Sequence, residues 1–209
     1  MKELINRERW RAELLGSLPG EEAQNRMAPS FRGDFSHVSE PTRAAVMALM
    51  YPSAGKIHMV FIKRNEYDGP HSAQVSFPGG AWENGDRNLQ HTAIRETREE
   101  LGISGELEIL GALTDLHIPV SNFLVTPFVG WMDETPVFKP DPTEVQYVIE
   151  APLQSLLSSS DMEMELMVRH DQAIQAPCYK IGKEKIWGAT AMMLSEILEL
   201  ASRLPLRRC

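Results

Sequence analysis

Cysteine is scarce in this chain. Only Cys178 and Cys209 occur among 209 residues, far apart and outside any C-x-x-C pair. That argues against a disulfide framework and against a cysteine-built zinc site, and it fits a reducing, cytoplasmic setting. Positive charge is also in short supply: 21 Lys and Arg face 29 Asp and Glu, for a net charge of -8. Nucleic-acid binding wants a basic stripe, so nucleic acid is not an expected partner. A polyanionic substrate would need metal ions or a local cluster of Lys and Arg. Long apolar runs are missing as well. The longest, Ala44 to Tyr51, is too short to span a bilayer, so no membrane is expected. The N-terminus carries Lys2, Glu3, Arg7, Glu8, Arg9 and Arg11 and shows no apolar h-region, so it does not read as a secretory signal. Neither G-x-x-x-x-G-K-[ST] nor G-x-G-x-x-G is present, which argues against a P-loop NTPase and a dinucleotide oxidoreductase. Ser72 and Ser121 lack a convincing His–Asp constellation, which argues against a serine hydrolase.

What is present is an ordinary globular composition, 43% hydrophobic and 24% charged. Leu4, Ile5, Trp10, Leu14, Leu15 and Leu18 form an approximate helical stripe ended by Pro19-Gly20. Residues 20–41, rich in Pro, Gly, Ser and charge, read as a linker. Residues 1–41 are thus expected to be a helix-and-linker extension, and 42–205 the main domain. Strands are expected at Arg43–Met50 and Lys56–Lys63, joined by a turn at Pro52–Gly55, and at Gln74–Phe77. Further strands are expected at Glu106–Leu113, Phe123–Met132 and Glu144–Ile149, with a strand pair at Glu163–Val168 and Cys178–Ile181. Helices are expected at 88–101, closed by Gly102 as a left-handed cap, at Leu153–Leu157 and at Gly188–Leu204. Strands outnumber helices and mix irregularly with them, which predicts an α+β or α/β sandwich around one mixed sheet.

The informative stretch is Gly79 to Ile103, GGAWENGDRNLQHTAIRETREELGI. Helical positions three and four apart share a face, so Glu96, Glu99 and Glu100 project together, within an arc of roughly 100°. Ile94, Thr97 and Leu101 form a neighbouring arc suited to packing on a sheet. Three carboxylates on one exposed face repel by a few tenths of a kcal/mol per pair. A hard divalent cation reverses that sign, and Mg²⁺ prefers oxygen ligands with room for water and phosphate. Glycine at 79 and 80 lets the backbone approach a metal or phosphate closely. Arg95 and Arg98 lie beside the acids, where they can fix their rotamers or hold phosphate. An isolated E-x-x-E-E is usually a solvated helix face. Here the helix follows a strand and a Gly-Gly loop and ends at a glycine, a much rarer combination.

These residues resemble the Nudix box: G, five residues, E, seven residues, then R-E-U-x-E-E-x-G-U with U apolar. Gly80, Arg95, Glu96, Glu99, Glu100, Gly102 and Ile103 match it. Thr97 stands at an apolar position, and Asp86 replaces the first Glu with one extra residue before Arg95. That insertion is similar to the coenzyme A pyrophosphatase branch. So are HSAQVSFPGG (71–80), SNFLVTPFVG (121–130) and IWGATA (186–191), in which Ala73 and Asn122 replace glycines of the pattern. NEYDGP (65–70) departs from the branch's R-S-x-x-L-R. The resemblance runs from about Thr42 to Leu204. It implies the Nudix fold, an α/β/α sandwich with a mixed sheet between helices and the box as loop–helix–loop. It implies Mg²⁺ or Mn²⁺ held by Glu96 and Glu100, with Glu99 and the Gly80 carbonyl assisting, and an acid from another loop, best matched by Glu144.

The remaining candidates have less specific signals. His71 is near even between touching substrate phosphate and holding its loop. Lys63 and Arg64 end a strand near the box and can neutralise phosphate, or simply be solvated. His91 and His117 read as structural or surface residues and Trp187 as core. Tyr67 or Phe123 can stack on an adenine, although a packed or rim aromatic is the default. The expected reaction is attack of water on a diphosphate, with Glu99 or Glu144 as general base and Arg95 in support. Three functions stay open: a coenzyme A or acyl-coenzyme A diphosphatase, a pyrophosphatase of ADP-ribose or a dinucleotide, and a non-catalytic nucleotide sensor. The expected partner is a small nucleotide, and a homodimer is left open.

Overall fold

The computed structural model describes residues 7–30, 40–67, 71–158, 163–169 and 172–204. Leu4, Ile5, Cys209 and the end of the NEYDGP stretch lie outside them, as does 31–39 of the expected linker.

Strand β1 (Thr42–Ser53) is the middle of the molecule. Its even-numbered Ala44, Ala48 and Met50 enter one core cluster. Its odd-numbered Ala45, Met47, Leu49 and Tyr51 enter a second. The two-residue period of a strand explains the partition, and burial on both faces explains the unbroken apolar run. β1 runs parallel to β7 (Phe123–Trp131), in register from Thr42 opposite Phe123 to Met50 opposite Trp131. It pairs antiparallel with β2 (Lys56–Arg64) at Met50 to Ser53. Closer to its start, β1 pairs instead with β4 (Gly79–Ala81), at Ala44 to Val46. β3 (Val75–Ser76) pairs with the far end of β2, at Ile62 and Lys63. Thus β1 and β2 diverge beyond their hairpin, and residues 75–81 fill the gap. That wedge carries the Gly-Gly pair to the centre of the fold. β5 (Glu108–Ala112) and β6 (Leu116–Ile118) pair with β7, and β8 (Val145–Pro152) lies along β2, completing a mixed eight-stranded sheet.

Helix α3 (Leu89–Leu101) covers one face, burying Ala93 and Leu101. On the other face lie α1 (Arg7–Leu15), through Trp10 and Leu14, and α5 (Gly188–Arg203). This is the expected mixed sheet between helices. Helix α4 (Leu153–Ser158) follows β8, and a three-stranded sheet of β9 (Glu163–Arg169), β10 (Gln172–Ile181) and β11 (Glu184–Trp187) leads into α5.

Several local expectations need correction. The linker reading fails over Gly20–Asn25, which form helix α2. The sequence GEEAQN has no apolar period; the segment is fixed by tertiary bonds, with Gln24 Nε2 donating to Thr114 O and to Glu196 Oε2, both at 2.9 Å. β1 continues through Pro52 and Ser53, so the turn is Ala54-Gly55 alone. β4, β6 and β11 are three or four residues long, too short for a periodic signal.

Candidate active site

Asn88 starts α3 as an N-cap, its side chain accepting His91 N–H at 2.9 Å. Gly102 ends it at φ 60. A Cβ there would stand 1.9 Å from Lys139 O, so both conformation and space demand glycine. Between these caps, Thr92, Ala93, Thr97 and Leu101 are buried against the sheet. Thr97, at the position where an apolar residue was expected, satisfies its hydroxyl by donating to Ala93 O at 2.6 Å.

The acids do not share one exposed face, which corrects that expectation. Their exposure is graded: Glu99 at 59%, Glu96 at 15% and Glu100 at 1% by side chain. Helical rotation carries Glu100 inward, where it accepts Gly79 N–H at 2.8 Å and faces Arg64 Nη1 at 3.3 Å. Burial pushes its carboxyl up to about 7, with repulsion from Glu96 and Glu144 adding and Arg64 and the Gly79 N–H opposing. Glu96 lies over Gly80: a methyl group there would stand 2.5 Å from the Glu96 carboxyl carbon. Burial also raises Glu96, Arg95 opposes, and Glu99 and Glu144 repel. Glu144 sits just before β8, exposed, its carbonyl accepting Asn65 N–H at 3.0 Å. Its charge raises the carboxyls of Glu96 and Glu100, as a minor contribution beside burial, so it lies within electrostatic reach of the helix acids.

Arg95 gathers this face. Its Nη1 donates to Glu96 and Glu99, each at 2.9 Å, and its Nη2 to Ala81 O at 3.3 Å. Asp86 anchors it, accepting Nε at 3.1 Å and Nη2 at 3.0 Å. Asp86 also accepts from His91 Nδ1, Thr92 Oγ1 and Glu83 N. The Arg95 contact, chiefly, holds the Asp86 carboxyl well below the usual range. Sequence reasoning gave Asp86 no firm role; the available signal was its place six residues after Gly80. Arg98 turns away to Gly105 O at 3.2 Å, so it neither orders the acids nor faces them.

A cavity of about 500 Å³ opens beside the Gly-Gly loop. Arg64, Tyr67, His71, Gly79 and Gly80 line it, together with the apolar Val46, Phe77, Ile118, Phe123, Trp187 and Met193. A smaller polar hollow holds Arg64, Asn65, Glu66, Tyr67, Thr143 and Glu144. Trp187 is therefore a partly buried cavity wall rather than a core residue. Lys63, expected to meet phosphate, is directed to Glu184 instead, at 2.8 Å. Ala73 and Asn122 adopt left-handed φ of 54 and 52, a conformation that glycine takes at no steric cost.

Every acid here offers hard oxygen, the donor a divalent cation of the Mg²⁺ kind takes. Among the described residues, no three His, Cys, Asp or Glu side chains are grouped to hold a metal as they stand. Glu96 and Glu99 are turned onto Arg95, and Glu100 onto Arg64 and Gly79. The donor set thus fits a hard cation in chemistry, with Arg95 as the competitor that must yield.

A Gly-Gly loop, a carboxylate helix and an adjoining cavity on a mixed sheet are the arrangement of a diphosphate hydrolase of the Nudix class. The NUDIX domain family matches residues 41–176. The chain is 29% identical over 163 residues to an "uncharacterized Nudix hydrolase NudL" of Photorhabdus laumondii, covering 78% of this chain and 87% of that one. It is 30% identical over 166 residues to the human "mitochondrial coenzyme A diphosphatase NUDT8", covering 78% and 70%. A Nudix hydrolase of M. smegmatis, RenU, shares the fold at TM-score 0.53 and 12% identity, covering 86% of this chain and 97% of that one. The chain belongs to the Nudix hydrolase family, whose members act on phosphorus-containing anhydrides and generally need divalent cations. Among the described residues no helix is long and apolar enough to cross a membrane.

Proposed function

We propose that this enzyme cleaves the diphosphate bond of coenzyme A or an acyl-coenzyme A, giving 3′,5′-ADP and (acyl)phosphopantetheine, with Mg²⁺ or Mn²⁺. The observation that carries the reading is the trio of stretches 71–80, 121–130 and 186–191. Their residues meet around one cavity: His71 and Gly80 from the first, Phe123 and Val125 from the second, Trp187 to Thr190 from the third. The identity to a coenzyme A diphosphatase supports it.

Glu96 and Glu100 would hold the cation, with Glu99 and the Gly80 carbonyl assisting. Bound there, the cation lowers the pKa of water and neutralises charge on the leaving oxygen. Glu144 or Glu99 takes the proton of the attacking water as its oxygen bonds to phosphorus and the bridging P–O bond breaks. Arg64 and His71, which line the cavity, hold the diphosphate oxygens.

Turnover of coenzyme A, acetyl-coenzyme A, ADP-ribose and diadenosine polyphosphates would be compared with Mg²⁺ and with Mn²⁺. Coenzyme A substrates are expected to give the highest kcat/KM, and EDTA to abolish it. Equal or faster hydrolysis of ADP-ribose moves the enzyme to general nucleoside diphosphate derivatives. No turnover of any of them leaves a nucleotide-sensing domain.

A further inference from the structure

Lys63 and Arg64 are successive cations at the end of β2, and strand alternation sends them to opposite faces. Arg64 reaches α3 and Glu100. Lys63 reaches the second sheet, where its ammonium meets Glu184 Oε2 at 2.8 Å, the two side chains 20% and 14% exposed. Tyr147 of β8, opposite Lys63 in the main sheet, donates its hydroxyl to Glu184 Oε1 at 2.6 Å. One carboxylate at the first residue of β11 is thus held by two strands of the main sheet.

The place of this clasp gives it a consequence for the cavity, whose walls come from two bodies. Val46, Phe77 and Phe123 belong to the main sheet and its wedge; Ile174, Trp187 and Met193 belong to the second sheet and α5. Trp187 ends the short strand that Glu184 begins, and α5 starts at the next residue. Glu184 and Trp187 are three residues apart on one extended strand, roughly 10 Å at about 3.3 Å per residue, so a shift at Glu184 is carried to Trp187. Glu184 and Lys63 do not line the cavity. Tyr179 and Ile186 pack the second sheet on the core, but apolar contact is non-directional. The two bonds to Glu184 are directional and fix the offset between the sheets.

We propose that the Lys63–Glu184–Tyr147 clasp sets the separation of the cavity walls, making Glu184 a positioning residue that determines how well the Nudix substrate is bound without touching it. The inference rests on the family's diphosphate hydrolysis and not on coenzyme A as the substrate.

Glu184→Gln, Lys63→Met and Tyr147→Phe would be compared with wild type on coenzyme A and on ADP-ribose, in the full chain with Mg²⁺. Calorimetric titration with ADP would run alongside as a readout that needs no turnover. The expected result for Glu184→Gln and Lys63→Met is a KM, and an ADP Kd, raised about tenfold with kcat within about twofold, the signature of lost uniform binding. Tyr147→Phe should raise both by about two- to threefold, because only one hydrogen bond goes. Exchanging the charges, Lys63→Glu with Glu184→Lys, should recover most of the loss. Unchanged KM and Kd in folded variants, or a fall in kcat with KM intact, overturns the proposal. Should the charge variants not fold, Tyr147→Phe decides, and unchanged binding there overturns it equally.

Discussion

The Asp86 carboxylate grips the Arg95 guanidinium through both oxygens, Nε to Oδ1 at 3.1 Å and Nη2 to Oδ2 at 3.0 Å. The same guanidinium holds Glu96 and Glu99. The loop residue therefore orients the helix acids through an intermediary. In Asp86→Ala, Arg95, Thr92 and the Glu83 amide lose their acceptor around a buried position. The expected cost is about 3 kcal/mol, the order found when one partner of a buried pair is removed. Activity should fall at least tenfold at temperatures where the variant is folded. Denaturant melts and kcat at low temperature check both. A variant of unchanged stability would show that Asp86 is solvated in solution.

Glu196 on α5 supports the fold away from the chemistry. Fully buried, it accepts from Gly20 N at 3.2 Å, Gln24 Nε2 at 2.9 Å, and Thr114 N and Oγ1 at 3.3 and 2.8 Å. These bonds fasten α2 and the β5–β6 loop to α5. Glu196→Gln presents an amide donor to donors, at an expected cost of about 1–3 kcal/mol. KM and kcat below the melting transition should stay within about twofold. A change in KM without loss of stability would contradict this division.

The layers and the carboxylate helix were legible because their signals are local. Residues 88–101 carry a cap, an apolar arc and a closing glycine, and β1 and β7 carry long apolar runs. What escaped depends on partners distant in sequence. α2 exists because Gln24 meets Glu196. Lys63 is engaged because β11 brings Glu184 to it, and no spacing along the chain records that. Glu100 was expected on the exposed acidic face, but it is buried against the wedge of residues 75–81, whose Gly79 amide it accepts.

Ala73, on the loop that carries His71 and Gln74 to the cavity, stands at φ 54. A Cβ in the left-handed region costs about 1 kcal/mol that glycine avoids. Ala73→Gly is expected to raise the denaturant midpoint by roughly 0.5–1 kcal/mol in stability with an unchanged slope. Asn122→Gly should gain less, because Asn tolerates this conformation. A lower midpoint for Ala73→Gly would mean that the added freedom of the unfolded chain outweighs the relieved strain.

The position of Glu100 makes stability and activity oppose each other there. Its folded pKa, about 7, lies above its ordinary value of 4.5, with burial as the leading cause. The folded state then holds a proton that the unfolded chain gives up. In metal-free protein, the stability contribution is full below about pH 4.5 and is lost as pH rises through 7. The loss approaches about 3 kcal/mol as an upper bound. Glu96, raised in the same direction, adds to the slope. Glu100→Gln keeps the size and an oxygen for the Gly79 amide but cannot ionise. Its melting temperature should therefore depend less on pH between 4.5 and 7, and should equal or exceed that of wild type at pH 8 without metal. Its kcat with saturating Mg²⁺ should fall on the order of 10²-fold, because the charge that holds a hard cation is gone. Added Mg²⁺ should stabilise wild type at pH 8 more than the variant. Melting curves across pH with and without Mg²⁺, beside kcat, separate the cases. Near-normal kcat would remove Glu100 from the cation site. A large metal-free drop in melting temperature at pH 8 would make its bonds to Gly79 and Arg64 structural instead.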